Sequence, residues 1–253
     1  MSSAGPPPQA VTFDFWNTLV HPDDDGTRQA RRRAVQAVLA GYGHQVDDAV
    51  LDDTFHRTFA AHHESWVANR QFTSRHGGEM VMTLLELDLD DGQREVVIGA
   101  YSQAAADLDM RLTEHVAEAL AGLHDRGVKL GIICDVGLTP SSVLRGWLDD
   151  HGVLGLFDHW SFSDEVGWYK PAPEIFEHAL AGLGGVPAHR AAHVGDLRRT
   201  DVGGAKAMGL TAVRYRGAYD DAADVDPVDG SPRPEADVVI GDHAELIASL
   251  GLS

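Results

Sequence analysis

Apolar side chains recur along this chain with two different periods. Between residues 22 and 110 the spacing is helical. Val35, Val38, Leu39 and Tyr42 form one stripe that ends near Gly41 and Gly43. Leu51, Phe55, Phe59, His62 and Trp66 form a second, broken near Gly77-Gly78. Val81, Leu84 and Leu85 make a third, with Asp91-Gly92 ending it. Val97, Ala100, Tyr101, Ala104 and Leu108 make a fourth. Four amphipathic helices joined by short polar turns predict a compact bundle over residues 22–110.

From Thr113 the texture changes to alternating strands and helices. Helices are expected over Thr113–Asp125, Pro140–Asp150, Pro173–Leu183 and around Val202–Met208. Short apolar strands are expected at Lys129–Cys134, Phe157–Phe162, Ala191–Val194, Thr211–Tyr215 and Val238–Ile240. Repeated units of this kind predict an α/β fold, a doubly wound, Rossmann-like parallel sheet with helices on both faces. A first strand at residues 10–16 must join that sheet. The bundle is then an insertion, and the core comprises residues 1–21 and 111–253. Gly5-Pro6-Pro7-Pro8 reads as a stiff lead-in without structure, and Asp220 to Glu235, rich in Asp and Pro, as a flexible loop.

Composition narrows the partners. A formal charge of -19 argues against nucleic acid or an anionic membrane as a binding surface. The single cysteine, Cys134, excludes an internal disulfide framework and fits a reducing compartment. The first residues lack both the basic start and the apolar core of a secretory signal, and no apolar run reaches a membrane span. A cytoplasmic location is expected. Lysine is scarce, only Lys129, Lys170 and Lys206.

The candidate chemistry lies at strand ends. Val11-Thr12-Phe13 leads straight into Asp14, and polar turn-formers follow. In an open parallel sheet, ligands bind outside the carboxyl ends of the strands. Asp14 is therefore a catalyst, a metal ligand or a strand-end cap. His193-Val194-Gly195-Asp196 is a second apolar strand ending in Asp, with Asp201 five residues further on. Together with Asp14 these two carboxylates would form an oxygen-only site suited to Mg²⁺.

Phe13-Asp14-Phe15-Trp16-Asn17-Thr18-Leu19, Lys170-Pro171 and Gly195-Asp196 with Asp201 together resemble the haloacid dehalogenase (HAD) superfamily. The similarity extends over the whole chain, with residues 22–110 looking like its type 1 helical cap. The resemblance implies a hydrolase, with Asp14 as a nucleophile that forms a covalent aspartyl intermediate. It implies Mg²⁺ held by Asp14, Asp196 and the Trp16 backbone carbonyl, with Asp201 a direct or water-mediated ligand. Lys170 would neutralise charge on the nucleophile and on the transferring phosphoryl group. His21 and Asp23 to Asp25 would sit where family members carry a mobile flap. Arg28, Arg31, Arg32 and Arg33 crowd the first cap helix, where they grip an anionic substrate or form a solvated face.

Two positions depart from the family pattern. Phosphatases of this family usually carry a second Asp two residues after the nucleophile, serving as general acid and base. Here Trp16 stands there and can do neither. Cys134-Asp135 stands where a Ser or Thr is usual; Cys134 is a weak donor to a phosphate oxygen. Asp135 is either the surrogate acid or a structural hydrogen-bonding group. The expected activity is Mg²⁺-dependent hydrolysis of a small phosphate monoester. An aromatic residue at position 16 also fits C–halogen hydrolysis of a 2-haloacid. A third reading is a catalytically degenerate binding protein.

Overall fold

The computed structural model describes residues 7–21, 24–223, 225 and 230–252. It divides into two compact units. The first comprises Met1–Pro22, Met110–Asp135 and Leu148–Ser253, and the second Asp23–Asp109 with Val136–Trp147. Residues 136–147, read from the sequence as core, thus pack with the helical unit, where Leu138 lies against its apolar cluster.

The first unit is built on one parallel sheet. Its strands are β1 (Ala10–Phe13), β2 (Lys129–Cys134), β3 (His159–Phe162), β4 (Ala191–Gly195), β5 (Thr211–Tyr215) and β6 (Val238–Ile240). They lie in the order β3-β2-β1-β4-β5-β6. That order reverses between β1 and β4, the switch point at which doubly wound sheets open a crevice. The register sets Phe13 beside Ile132 on one side and Val194 on the other. Asp14 and Asp196, each just past its strand, therefore emerge side by side. Buried on both faces, β1 has no exposed residue, which is why its sequence runs apolar rather than alternating.

Helices α5 (Val116–Asp125), α6 (Ser141–Asp150), α7 (Ser163–Val166), α8 (Pro173–Gly182), α9 (Gly203–Met208) and α10 (Leu246–Ser249) complete the alternation. Ile175, Phe176 and Ala179 of α8 and Ala205 of α9 pack with Ala10, Ile133, Ala191 and Ala212 of the strands. No helix among the described residues is long and apolar enough to cross a membrane.

The second unit contains α1 (Asp24–Gly41), α2 (Asp48–Val67), α3 (Ser74–Leu84) and α4 (Asp91–Gln103). Val35, Leu39, Leu51, Phe55, Val81, Met82, Val97, Ile98 and Tyr101 form its core. Two boundaries differ from the sequence reading. Gly77 and Gly78 lie inside α3 rather than in a break. A Cβ on Gly77 would sit 2.7 Å from the Tyr101 ring and one on Gly78 3.2 Å from the Ile98 backbone. These glycines let α3 and α4 approach closely. Asp91-Gly92 begins α4 instead of ending α3, because the Asp90 side chain accepts from Gln93 N–H in a capping box.

The loop expected to be flexible is tied down where it is described. Asp221 accepts from Arg198 N–H at 2.8 Å and pairs with Arg233, while Arg214 donates to Asp220 at 2.6 Å. Residue 224 and residues 226–229 lie outside the described residues, as do Met1 to Pro6 and so Gly5 and Pro6 of the expected lead-in.

His243 generates a stability prediction. Fully buried, it stacks on Tyr215 with centroids 4.2 Å apart and donates from Nε2 to Thr18 O at 2.8 Å. Burial lowers its pKa from 6.5 to about 4. The unfolded chain then binds the extra proton between those values and the folded one does not, so stability falls as pH drops from 6.5 through 4. The loss should reach about 3 kcal/mol. Urea unfolding at pH 7 and pH 4.5 should show a drop that His243→Gln reduces; an equal drop in both proteins would assign the acid sensitivity elsewhere.

Candidate active site

The site is assembled at the carboxyl edge of β1 and β4. Asp14 N–H donates to Val194 O at 2.8 Å, which locks the end of β1 to β4. The chain then turns through Asn17, held at a left-handed φ of 57°, with Asn17 N–H donating to Val20 O and Leu19 N–H to Phe15 O. Asn17 Nδ2 reaches Asp196 Oδ2 at 3.2 Å. An Asn in this turn tolerates the left-handed backbone and also bridges the two strand ends.

After Asp196 the chain makes one π-helical turn over Arg198–Val202. Asp201 N–H donates to Leu197 O at 3.0 Å, and Asp201 Oδ2 accepts from Leu197 N–H at 2.9 Å. This reciprocal pair turns the Asp201 side chain back over Gly195. A Cβ on Gly195 would lie 2.3 Å from Asp201 Cγ, so no larger residue fits there.

One carboxylate oxygen from each of Asp14, Asp196 and Asp201 lies within 4.8 Å of the others, and all three residues are buried. Lys170, 2% exposed, inserts its ammonium among them, donating to Asp14 Oδ1 and to Asp201 Oδ1, the latter at 2.6 Å. Its backbone N–H donates to Asp135 Oδ1 at 2.8 Å. The structure thus brings together Asp14, Lys170, Asp196 and Asp201, and links Asp135 to Lys170.

Electrostatics separates the carboxylates. Burial raises Asp14 to about 7 against the pull of Lys170. Burial, then the charges of Asp14 and Asp201, raise Asp196 well above the ordinary range. Burial alone would raise Asp201 too, but Lys170 and His193 outweigh it and hold Asp201 well below the usual range. Burial pulls Lys170 down, and the surrounding carboxylates more than offset it, leaving Lys170 firmly charged. One permanent cation among three buried carboxylates leaves negative charge that only a further cation or a proton can neutralise. Three hard oxygen donors suit a divalent cation of the Mg²⁺ kind.

The remaining sequence candidates scatter. Cys134, read as a weak donor to a phosphate oxygen, is fully buried at the end of β2, and burial with the Asp14 charge pushes its thiol well up. Trp16 is half-buried, edge-on to Phe15 at 5.2 Å. His21 is exposed, Asp25 pairs with Arg28 on the surface, and Asp23 lies outside the described residues. The arginines of α1 do not share one role. Arg32 pairs with Asp48 and Asp52 and Arg33 is exposed, while Arg31 is buried over Tyr101 and donates to Thr139 Oγ1. Trp168 is exposed and Tyr169 buried.

Three residues near the centre were missed in the sequence: Asn17, Thr12 and His193. Thr12 and His193 are opposite one another in the β1/β4 register. The available signal was a polar residue inside each of two otherwise apolar strands.

Opposite stability effects follow from this charge arrangement. Asp14 has a folded pKa of about 7 against 3.8, so its contribution is present below pH 3.8 and lost as pH rises through 7. Asp14→Asn is neutral at any pH. In chelator at pH 8 it should be more stable than wild type, by on the order of 1–4 kcal/mol. Lys170→Met strands the carboxylates and should cost roughly 3–5 kcal/mol. Urea unfolding reads both, and a stabilised Lys170→Met would refute the charge assignment.

The description of a haloacid dehalogenase-like hydrolase matches residues 8–209. A glyceraldehyde 3-phosphate phosphatase of Methanopyrus kandleri is 28% identical over 84% of this chain and 86% of its own. A haloacid dehalogenase-like hydrolase domain-containing protein 3 of Mus musculus is 27% identical over 82% of each. Among solved structures, a HAD phosphatase of Thermococcus onnurineus superposes with a TM-score of 0.60 at 24% identity, covering 96% of this chain and 97% of its own. A magnesium-bound putative HAD-hydrolase of Bacillus subtilis gives 0.64 at 15% identity, covering 97% and 100%. With a match across most of its length and this arrangement of β1, β4 and Lys170, the chain belongs to the haloacid dehalogenase-like hydrolase family.

Proposed function

We propose that this hydrolase cleaves a small phosphate monoester through an aspartyl-phosphate on Asp14. A carboxylate oxygen of Asp14 attacks phosphorus and the ester P–O bond breaks, the leaving oxygen taking its proton from Asp135 or from water. Water then attacks the acyl phosphate, releasing inorganic phosphate and restoring Asp14. Lys170, in contact with Asp14, would balance charge on the nucleophile and the phosphoryl oxygens. Asp14, Asp196 and the Trp16 carbonyl would hold Mg²⁺, which supplies charge neutralisation for the approach of two anions. The helical insertion over residues 22–110 would act as the cap, whose loops select the substrate.

The observation that carries this reading is the retained acidic triad, Asp14, Asp196 and Asp201, around one buried lysine. Relatives named as glyceraldehyde 3-phosphate phosphatases point to the same chemistry and to a small phosphorylated substrate. Asp201 has Oδ1 engaged by Lys170 and His193 and Oδ2 by Leu197 N–H, which favours an indirect, water-mediated metal role. A 2-haloacid dehalogenase is the second reading, favoured by the aromatic Trp16. Halide displacement needs no metal, so that reading leaves the Asp196 and Asp201 pair unexplained.

A panel of phosphate esters and 2-haloacids separates the readings. Phosphate release should require Mg²⁺, vanish in chelator and drop to background in Asp14→Asn, while haloacids remain untouched. Halide release that persists in chelator would promote the dehalogenase. Ligand binding with no turnover on either class would mark a degenerate binding protein.

Trp16 predicts which esters react. Without the usual acid, expulsion of a poor alcohol is slowed by on the order of 10²–10⁴. Activated aryl phosphates should therefore outpace alkyl ones and show a burst as the acyl phosphate accumulates. Asp135→Asn keeps an oxygen for the Lys170 N–H but cannot transfer a proton. If Asp135 is the surrogate acid, this variant slows alkyl esters and spares aryl ones. Rates unchanged from wild type in Asp135→Asn on both ester classes would assign Asp135 only to holding Lys170.

A further inference from the structure

His193 sits directly behind the candidate site, with no place in the reaction just described. It is 1% exposed, on the central strand β4, and its ring lies edge-on to Phe176 at 5.3 Å. Nε2 lies 3.1 Å from Asp201 Oδ1, the oxygen that also accepts from Lys170 Nζ at 2.6 Å. Nδ1 lies 2.9 Å from Thr12 Oγ1, which is in turn 3.2 Å from Ala192 O. A line of contacts thus runs from β1 through His193 and Asp201 to the lysine ammonium.

Proton counting on this line leaves one neutral arrangement. Asp201 as a carboxylate accepts only, so the contact at Nε2 requires an Nε2–H. A neutral ring then has a bare Nδ1, and Thr12 must spend its single hydroxyl proton on it rather than on Ala192 O. The opposite tautomer would set a lone pair against the carboxylate. The Phe176 edge fixes the ring plane, so the donor direction is set as well.

We propose that His193 is a positioning residue, its Nε2–H set by the Asp201 carboxylate and its Nδ1 matched by the Thr12 hydroxyl, that aims Asp201 Oδ1 at Lys170 Nζ. Asp201 is anchored from two directions, by Leu197 N–H on Oδ2 and by His193 on Oδ1. Without the second anchor the carboxylate can rotate about Cβ–Cγ, and the lysine between Asp201 and Asp14 loses its fixed place. Partners of this kind, one shell behind the reacting groups, typically change activity by 10–100-fold when lost.

The kinetic consequence rests on the phosphatase reading; the tautomer does not. ¹⁵N NMR of wild-type protein at pH 7.5, without substrate, should show His193 protonated at Nε2 and bare at Nδ1. Thr12→Val, which removes the donor facing Nδ1, should keep the Nε2–H tautomer, because the Asp201 carboxylate still requires it. An Nδ1–H ring or an imidazolium in the wild type would overturn the proposal whatever the protein hydrolyses. For turnover, His193→Gln keeps an N–H near the Nε2 position, whereas His193→Asn is too short to reach Asp201. With melting checked for both, kcat should fall about 10–100-fold in Asn, with KM within about threefold, and recover substantially in Gln. Folded Asn and Gln variants with equal kcat would also overturn it. A wild type inactive on every phosphate ester would instead refute the phosphatase reading and leave the NMR result to decide the role of His193.

Discussion

The carboxyl edge of the parallel sheet converges on one buried cation. Lys170 is 2% exposed and stands between Asp14 and Asp201, themselves nearly sealed from solvent. Taking an ammonium and two carboxylates out of water is costly, and their attraction repays it only when the contacts are short and every remaining donor is satisfied. The fold meets that condition from several sides. Asp135 fixes the Lys170 backbone, Leu197 and His193 fix Asp201, and β4 fixes Asp14 through its N–H. All of these anchors but His193, which lies inside β4, come from the carboxyl edge of the sheet or the turn after it. The strand order exists, in effect, to bring those edges together.

The same constraint explains where the sequence was legible. Fold class followed from periodicity, because central strands buried on both faces read as apolar runs and helices keep one apolar stripe. Asp14, Lys170, Asp196 and Asp201 were legible because each follows or precedes a break between elements, and their order along the chain is a recognisable pattern. Boundaries failed where tertiary contact overrode local rules. Gly77 and Gly78 read as a break, yet they are required for the approach of α3 to α4. Asp91-Gly92 read as an ending, although Asp90 caps the next helix. Nothing in the Asp- and Pro-rich run after Asp220 announced that Arg198, Arg214 and Arg233 would pin it, since the partners lie 23, 6 and 12 residues apart and meet only through the fold.

Thr12 and His193 illustrate a different kind of blindness. Each reads alone as a polar residue tolerated in a strand. Their meaning comes from register: β1 and β4 are distant in sequence and become neighbours only once the sheet order is known. A buried polar group must find a partner or cost free energy, so the pair had to be explained by something nearby. That something is Asp201. The network therefore ties the sheet interior to the charged edge, and rigidity in the strands becomes rigidity of the lysine.

Trp16 is then less of an anomaly than it first reads. The family position it occupies contributes two things, a backbone carbonyl and a side chain, and only the side chain has changed. The half-buried indole, held against Phe15, replaces a carboxyl group that would have added a fourth acid to a site already holding Asp14, Asp196 and Asp201 around one lysine. Burial and mutual repulsion already push Asp14 and Asp196 upward. An aromatic ring there lowers the charge burden, at the expense of proton transfer. On the proposed chemistry that exchange suits a substrate whose leaving group departs with little help. It also explains why the acidic triad, unnecessary for halide displacement, has been kept beside an aromatic residue.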